Sequence, residues 1–287
     1  MSFSSEVLSI GSAGAKPRTI LVLGGGGMKG VAHVGVWKAL EESGVRPDAI
    51  IGTSIGALVA ACLSGGMGWR ELAEVSRKLK RDDIVSINKR AVWLGGVRES
   101  AVFDGPHYLG YIRRTLPVQE FSALKIPIRI NTVSLVSGTE VWFGAGMRED
   151  APLADAVYAS CALPIYFPPA KVGDDYLVDG GVLDVMPLKR AVEWGAERII
   201  AVDVGSDLMP PDPGYFDRGM IAIHDRVLSL NLQEQRQRCM DSYQGPPLLY
   251  IRPKIGHLHA FDFDRTQFFL EEGYRAAREA IAAAEAA

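Results

Sequence analysis

Three stretches of this chain carry residues whose types and spacing could do chemistry. Gly52-Thr53-Ser54-Ile55-Gly56 is a G-x-S-x-G set between a short apolar run (Ala49, Ile50, Ile51) and a longer one (Ala57 to Leu63). That order reads as strand, sharp turn, helix, with the serine hydroxyl pushed into the open at the strand's carboxyl end, so Ser54 is a candidate nucleophile. Alone the pattern is weak: with Gly at 31 of 287 positions, it arises by chance roughly 0.2 times in such a chain. The second stretch, Gly24-Gly25-Gly26-Gly27-Met28-Lys29-Gly30, follows an aliphatic run and precedes a helical pattern. Consecutive backbone N–H groups can converge there near a helix N-terminus, which suits an anion or a developing oxyanion. In the third, Tyr176-Leu177-Val178 leads into Asp179-Gly180-Gly181, a carboxylate at a strand end followed by two residues free to turn. Asp179 reads either as a turn former or as the group that orients a serine and takes its proton.

The glycine loop admits three readings. Gly25-x-Gly27-x-x-Gly30 fits the dinucleotide fingerprint, yet the next strand ends at Gly52-Thr53-Ser54, where that fold would offer an acid to the ribose. A P-loop needs a Lys-Ser or Lys-Thr pair after its last glycine, and none follows Gly30. An oxyanion hole serving Ser54 from the neighbouring strand explains both motifs with one reaction and is preferred. A base is then required. Of the five histidines, His33 lies in the first helix, His107 in a loop, His224 on a long polar helix, and His257 and His259 in a loop near the C-terminus. For each, a surface or core role outweighs catalysis. The α/β-hydrolase order Ser, Asp, His leaves His257 or His259 open as a triad member, although such enzymes place several strands before the elbow and here Ser54 lies on about the second.

The elements that must position these groups are legible as hydrophobic patterns. Thr19 to Leu23 and Arg198 to Val204 are continuous aliphatic runs of the kind buried on both faces of a parallel sheet. Ile126 to Val136, Glu140 to Phe143, Tyr176 to Val178 and Leu248 to Arg252 read as further strands. Helices are expected from Val31 to Leu40, from Trp69 to Leu79, from Tyr108 to Leu116, in the Pro-stopped segment from Ala151, over Arg218 to Met240, and from Arg265 onward. In the Arg218 to Met240 helix, Ile221, Val227, Leu228, Leu230 and Leu232 are expected to face the core, a packing role favoured over a partner or lipid surface. Ordinary packing is likewise favoured over a lipid-contacting flap for Trp93-Leu94.

At 48% hydrophobic and 23% charged, the composition is that of a soluble globular chain. A net charge of −3 lacks the basic excess of a nucleic-acid binder. Cys62, Cys161 and Cys239 are too few and too far apart for a metal knuckle or disulfide framework, so no metal is expected and a reducing, cytoplasmic compartment is the default. Residues 1–17 read as a loose leader without the features of a secretory signal, and 18–287 as one domain. The most apolar window, Ala49 to Leu63, is about 15 residues long, short of the roughly 20 that span a bilayer.

In motif order the chain resembles the patatin-like phospholipases, particularly the compact bacterial branch similar to the esterase domain of neuropathy target esterase. The resemblance runs over about residues 18 to 280: the glycine loop with its basic residue (Gly25 to Gly30), the elbow (Gly52 to Gly56), the block Ala159-Ser160-Cys161-Ala162-Leu163-Pro164-Ile165-Tyr166-Phe167-Pro168-Pro169, and Asp179-Gly180-Gly181. It implies an α/β fold of three α/β/α layers around a mostly parallel sheet, and a serine acyl hydrolase acting on lipid esters. It also implies a Ser54–Asp179 dyad without catalytic histidine, metal or cofactor, and an oxyanion hole from the amides of Gly25, Gly26, Gly27 and Met28. Lys29 and Gly30, Gly52 and Gly56, and Gly180 and Gly181 are then motif support. The implied partner is a lipid ester, presented at a membrane surface such as its inner face or free, and a homo-oligomer is compatible with it. Asp184 and Met186 depart from the family's usual Asn and apolar residue. A short-chain esterase, or a regulatory adaptor on the same fold, remains an alternative.

Overall fold

The computed structural model describes residues 18–87 and 99–286. The leader and the Trp93-Leu94 segment lie outside the described residues. The described residues form eight strands: β1 (Thr19–Leu23), β2 (Ala49–Gly52), β3 (Ile128–Ser134), β4 (Glu140–Gly144), β5 (Ala170–Val172), β6 (Asp175–Asp179), β7 (Arg198–Val202) and β8 (Leu248–Ile251). Their order in the sheet is β5-β6-β3-β2-β1-β7-β8, with β4 also on β3. The five strands β3-β2-β1-β7-β8 run parallel, while β4, β5 and β6 add antiparallel pairings at the β3 side. The result is a mixed sheet with a parallel centre, as the unbroken aliphatic runs at β1 and β7 require of strands covered on both faces.

The helices are α1 (Ala32–Glu42), α2 (Ile55–Ser64), α3 (Trp69–Lys78), α4 (Arg81–Ile84), α5 (Gly105–Thr115), α6 (Leu153–Cys161), α7 (Leu188–Glu193), α8 (Met220–Asp241) and α9 (Thr266–Glu285). Alternate residues of one strand serve opposite layers. Leu21 and Leu23 pack with α1, α2, α6 and α9 on one face; Ile20 and Val22 pack with α7 and the last turns of α8 on the other. The three-layer α/β expectation holds. α5 starts at Gly105, three residues before the expected start, with Pro106 in its first turn, where a missing N–H costs nothing.

One register relation positions the chemistry. Along one edge of β3, Ile130 pairs with Gly52 at the end of β2, and Thr132 pairs with Asp179 at the end of β6. A strand has two edges, and β4 occupies the other from Arg129 to Val133. β2 and β6 therefore meet nearly end to end, two residues apart on β3, a separation of about 6.6 Å. What leaves β2 next, Ser54, is delivered to what ends β6.

The core assignment for α8 fails over half its length. Ile221, Val227 and Leu230 are exposed, and Leu228 and Leu232 are half-buried. The expectation holds for Leu232, which packs on the sheet with Cys239 and Met240, whereas no residue of the helix before Leu232 joins either core cluster.

Candidate active site

Ser54 occupies a left-handed backbone conformation, φ 56° and ψ −128°, which L-residues rarely adopt. The turn is held by contact. A Cβ on Gly56 would lie 2.2 Å from the Leu23 carbonyl, and one on Gly52 would lie 2.5 Å from the Ala57 Cα, so only glycine lets strand and helix approach this closely. The side chain of Ser54 makes no capping bond to α2, and the residue is half-buried. Its N–H donates to the Ser160 Oγ at 2.9 Å, from a fully buried serine on α6.

Asp179 is buried beside it. Its Oδ1 accepts the Gly181 N–H at 2.8 Å. Removal from water pushes its carboxyl up to about 6; the nearby Ser54 side chain and the Gly181 amide, which donates to it, pull the other way. The walls of this space include Val185: its Cγ2 would lie 3.2 Å from a Cβ on Gly25, and that Cβ would lie 3.3 Å from the Ser54 Cβ. The glycine loop thus passes directly against the serine.

The four amides expected to face an oxyanion separate. The Met28 N–H donates to the Ala260 carbonyl at 2.7 Å, and the Gly25 N–H leans on the Val185 carbonyl at 3.4 Å. Both residues are buried. Gly26 and Gly27 are half-exposed, like Ser54, and no acceptor for their N–H groups is found among the described residues. Gly27 has φ +60°, and a Cβ there would collide with the Ala260 carbonyl at 2.3 Å. The Met28 assignment is therefore corrected: its donor is spent on bracing the loop.

Lys29 is fully buried and points away into an ionic cluster, where its Nζ donates to the Ser206 Oγ at 2.6 Å. Desolvation first, then the nearby Arg236 guanidinium, lower its ammonium to about 8, against the pull of Asp203 and Asp207. Asp203 also accepts from the Tyr250 hydroxyl at 2.6 Å and the Gly205 N–H at 2.8 Å, and pairs with Arg252 and with Arg236. Val204, between these groups, backs the glycine loop: a Cβ on Gly26 would lie 2.5 Å from its carbonyl. Asp203 reads in the sequence only as the tail of a strand, and Ser160 and Ala260 carry no chemical signal by themselves. Asn131 does carry one, as a polar residue inside an aliphatic run; its Nδ2 donates to the Asp184 carbonyl at 2.8 Å beneath Gly180.

The histidines are placed elsewhere. His33 is buried with its Nε2 at 2.9 Å from the Gly24 carbonyl, and burial drives it down to about 4, so it stays neutral and donates from Nε2. His107 binds the Asp82 carbonyl, and His257 and His259 are exposed on the loop after β8. Among the described residues none hydrogen-bonds Ser54.

The sequence model of the patatin-like phospholipases matches residues 21–192. This chain belongs to that family. An uncharacterized NTE family protein of Mycobacterium tuberculosis is 32% identical over 198 residues, which cover 68% of this chain and 52% of that protein. The lysophospholipase NTE1 of Lodderomyces elongisporus is 29% identical over 272 residues, 85% of this chain and 18% of that one. This patatin-like chain thus spans about half the length, or less, of these relatives. Among solved structures, VipD from Legionella pneumophila shares the fold with a TM-score of 0.53 at 14% identity, covering 93% of this chain and 67% of that one.

Proposed function

We propose that the protein is a serine acyl hydrolase of lipid esters, in which Ser54 attacks the ester carbonyl and Asp179 is its base. The supporting observation is the pairing of a strained, half-exposed serine with a buried carboxylate that its hydroxyl can reach. Attack forms the Ser54 Oγ–carbon bond and moves the hydroxyl proton to Asp179; the carbonyl electrons go to an oxyanion met by the N–H groups of Gly26 and Gly27 and by the positive end of α2. Collapse breaks the bond to the alcohol, which leaves with the proton from Asp179. Water then repeats the sequence on the acyl-enzyme. A carboxylate at its ordinary value near 3.9 is a feeble base, and the burial that raises Asp179 brings it closer to the operating pH.

The relatives' printed names, phospholipase and lysophospholipase, support a phospholipid or lysophospholipid as the ester cleaved. The test is reaction with a fluorophosphonate followed by mapping of the adduct, with turnover measured on lysophosphatidylcholine and on a chromogenic short ester. Labelling at Ser54 with faster turnover of the lipid is expected. An unlabelled protein would be the adaptor of the alternative reading, and preference for the short ester would make it a non-lipid esterase.

A further inference from the structure

Behind the glycine loop, the residues that follow β7 form a hub for cations arriving from three other parts of the chain. Asp203 pairs with Arg236 of α8 and with Arg252 just after β8, and Asp207 pairs with Arg252 at 2.5 Å. Arg236 also donates to the Ser206 carbonyl, and its guanidinium lies flush against Gly205, where a Cβ would stand 2.4 Å from an Nη atom. The Asp207 N–H donates to the Gly256 carbonyl at 2.8 Å. Segment 203–207 is thereby fixed to both α8 and the loop after β8.

Lys29 enters this hub from the glycine loop and finds both carboxylates taken. It is fully buried, and its Nζ donates to the Ser206 Oγ at 2.6 Å. Among the described residues no carboxylate makes a direct ion pair with it. An ammonium carries three N–H donors, so one hydroxyl is thin compensation for a charge taken out of water. Burial first, then the Arg236 guanidinium, bring its proton loss down to about 8; Arg252 adds to that push, and Asp203 and Asp207 resist it. His33 on α1, in the field of Asp203, is already neutral at that pH, and the Tyr250 hydroxyl is bound to Asp203.

The charge matters because of where its carrier sits. Gly26 and Gly27 precede Lys29 on one loop, and Val204, two residues before Ser206, backs Gly26. A positive charge held out of water on the loop that offers the oxyanion donors favours the developing negative charge, and a neutral amine does not. By accepting from the ammonium, the Ser206 hydroxyl favours the charged form.

We propose that Ser206 is a positioning residue for the hydrolysis: its hydroxyl keeps Lys29 charged and fixed behind the glycine loop. This role rests on the reading of the protein as a serine hydrolase. The test follows turnover of a chromogenic ester, fluorophosphonate labelling and melting temperature across neutral and alkaline pH for the wild type, Ser206→Ala and Ser206→Thr. Wild-type kcat/KM should fall above about pH 8 with the slope of one proton. Losing a hydrogen bond to a charged group corresponds to about one pH unit, so Ser206→Ala should begin its fall near pH 7 and turn over about fivefold more slowly at pH 8, in kcat with KM little changed. Thr keeps the hydroxyl and should restore the wild-type limb. The melting deficit of Ser206→Ala should narrow as pH rises through about 8, because the hydroxyl's advantage is greatest for the ammonium. Should Ser206→Ala fail to fold, Ser206→Cys, similar in size and a poor acceptor, takes its place. A wild type without an alkaline limb, a limb that Ser206→Ala leaves in place, or a melting deficit constant with pH would each overturn the proposal. A wild type that is never labelled would instead overturn the serine reading, and the melting series would still decide whether Ser206 holds the charge on Lys29.

Discussion

At the scale of single residues, the proposal stands on two side chains acting as one unit. Ser54→Ala, Asp179→Asn and the double variant should fall to a similar residual turnover, because losing either member removes the whole proton-transfer device; additive losses in kcat would separate the two roles. The pH profile gives an independent check. The base works ionised, and burial raises Asp179 to about 6, so kcat/KM should decline below that pH with the slope of a single proton. The same shift has a consequence for stability. The folded protein keeps the Asp179 proton to about pH 6, whereas the unfolded chain releases it near 3.8. The folded state therefore binds more protons between those values, and wild-type stability falls as pH rises through that window. Asparagine has no proton to release and can still accept the Gly181 N–H. The melting temperature of Asp179→Asn should therefore gain on wild type from pH 4 to pH 7, by up to about 3 kcal/mol in free energy. A purely structural turn role for Asp179 requires the reverse.

Between residues and fold stand the elements that aim these groups. Ser160 holds the Ser54 N–H at 2.9 Å from α6. Ser160→Ala should leave that donor unmet and the left-handed serine poorly fixed, lowering kcat about tenfold and the fluorophosphonate rate with it, with KM little changed and Thr restoring part of the loss. Asp203 after β7 is the anion among Lys29, Arg236 and Arg252. Asp203→Asn should cost roughly 3 kcal/mol in urea unfolding, since it strands buried cations, and should slow turnover because Val204 backs the glycine loop. These supports mark where legibility ended. The elbow, the glycine loop and Asp179 could be read because each is a local pattern at a strand end. Ser160, Asp203 and Ala260 act across more than a hundred residues, and no spacing along the chain encodes such a meeting. β5, three residues between prolines and a turn, is too short for a period to show. The α8 stripe misled for a different reason: a 3.6-residue apolar pattern reports that a face is apolar, and the core is only its commonest destination.

For the molecule as a whole, the candidate site is assembled from six separate segments of the chain: the glycine loop, the elbow, Ser160, Asp179, Val204 and Ala260. In the proposed mechanism the groups set toward the developing charge are backbone amides and a helix end, so turnover should survive EDTA undiminished, and restoration by calcium after loss would reassign the oxyanion. The glycine loop, at residues 24–30, is braced by Val204 and by Ala260, whose carbonyl takes the Met28 N–H at 2.7 Å. Strand β1 likewise waits for β7, some 180 residues later, to fill its second edge. During synthesis at about 5 to 20 residues per second, this loop and Ser54 emerge early and then remain without their braces for roughly 10 to 50 s. A nascent chain on the ribosome therefore carries the proposed nucleophile long before the loop beside it is braced, and chains released before Ala260 should be inert toward lipid however well their first strands have paired.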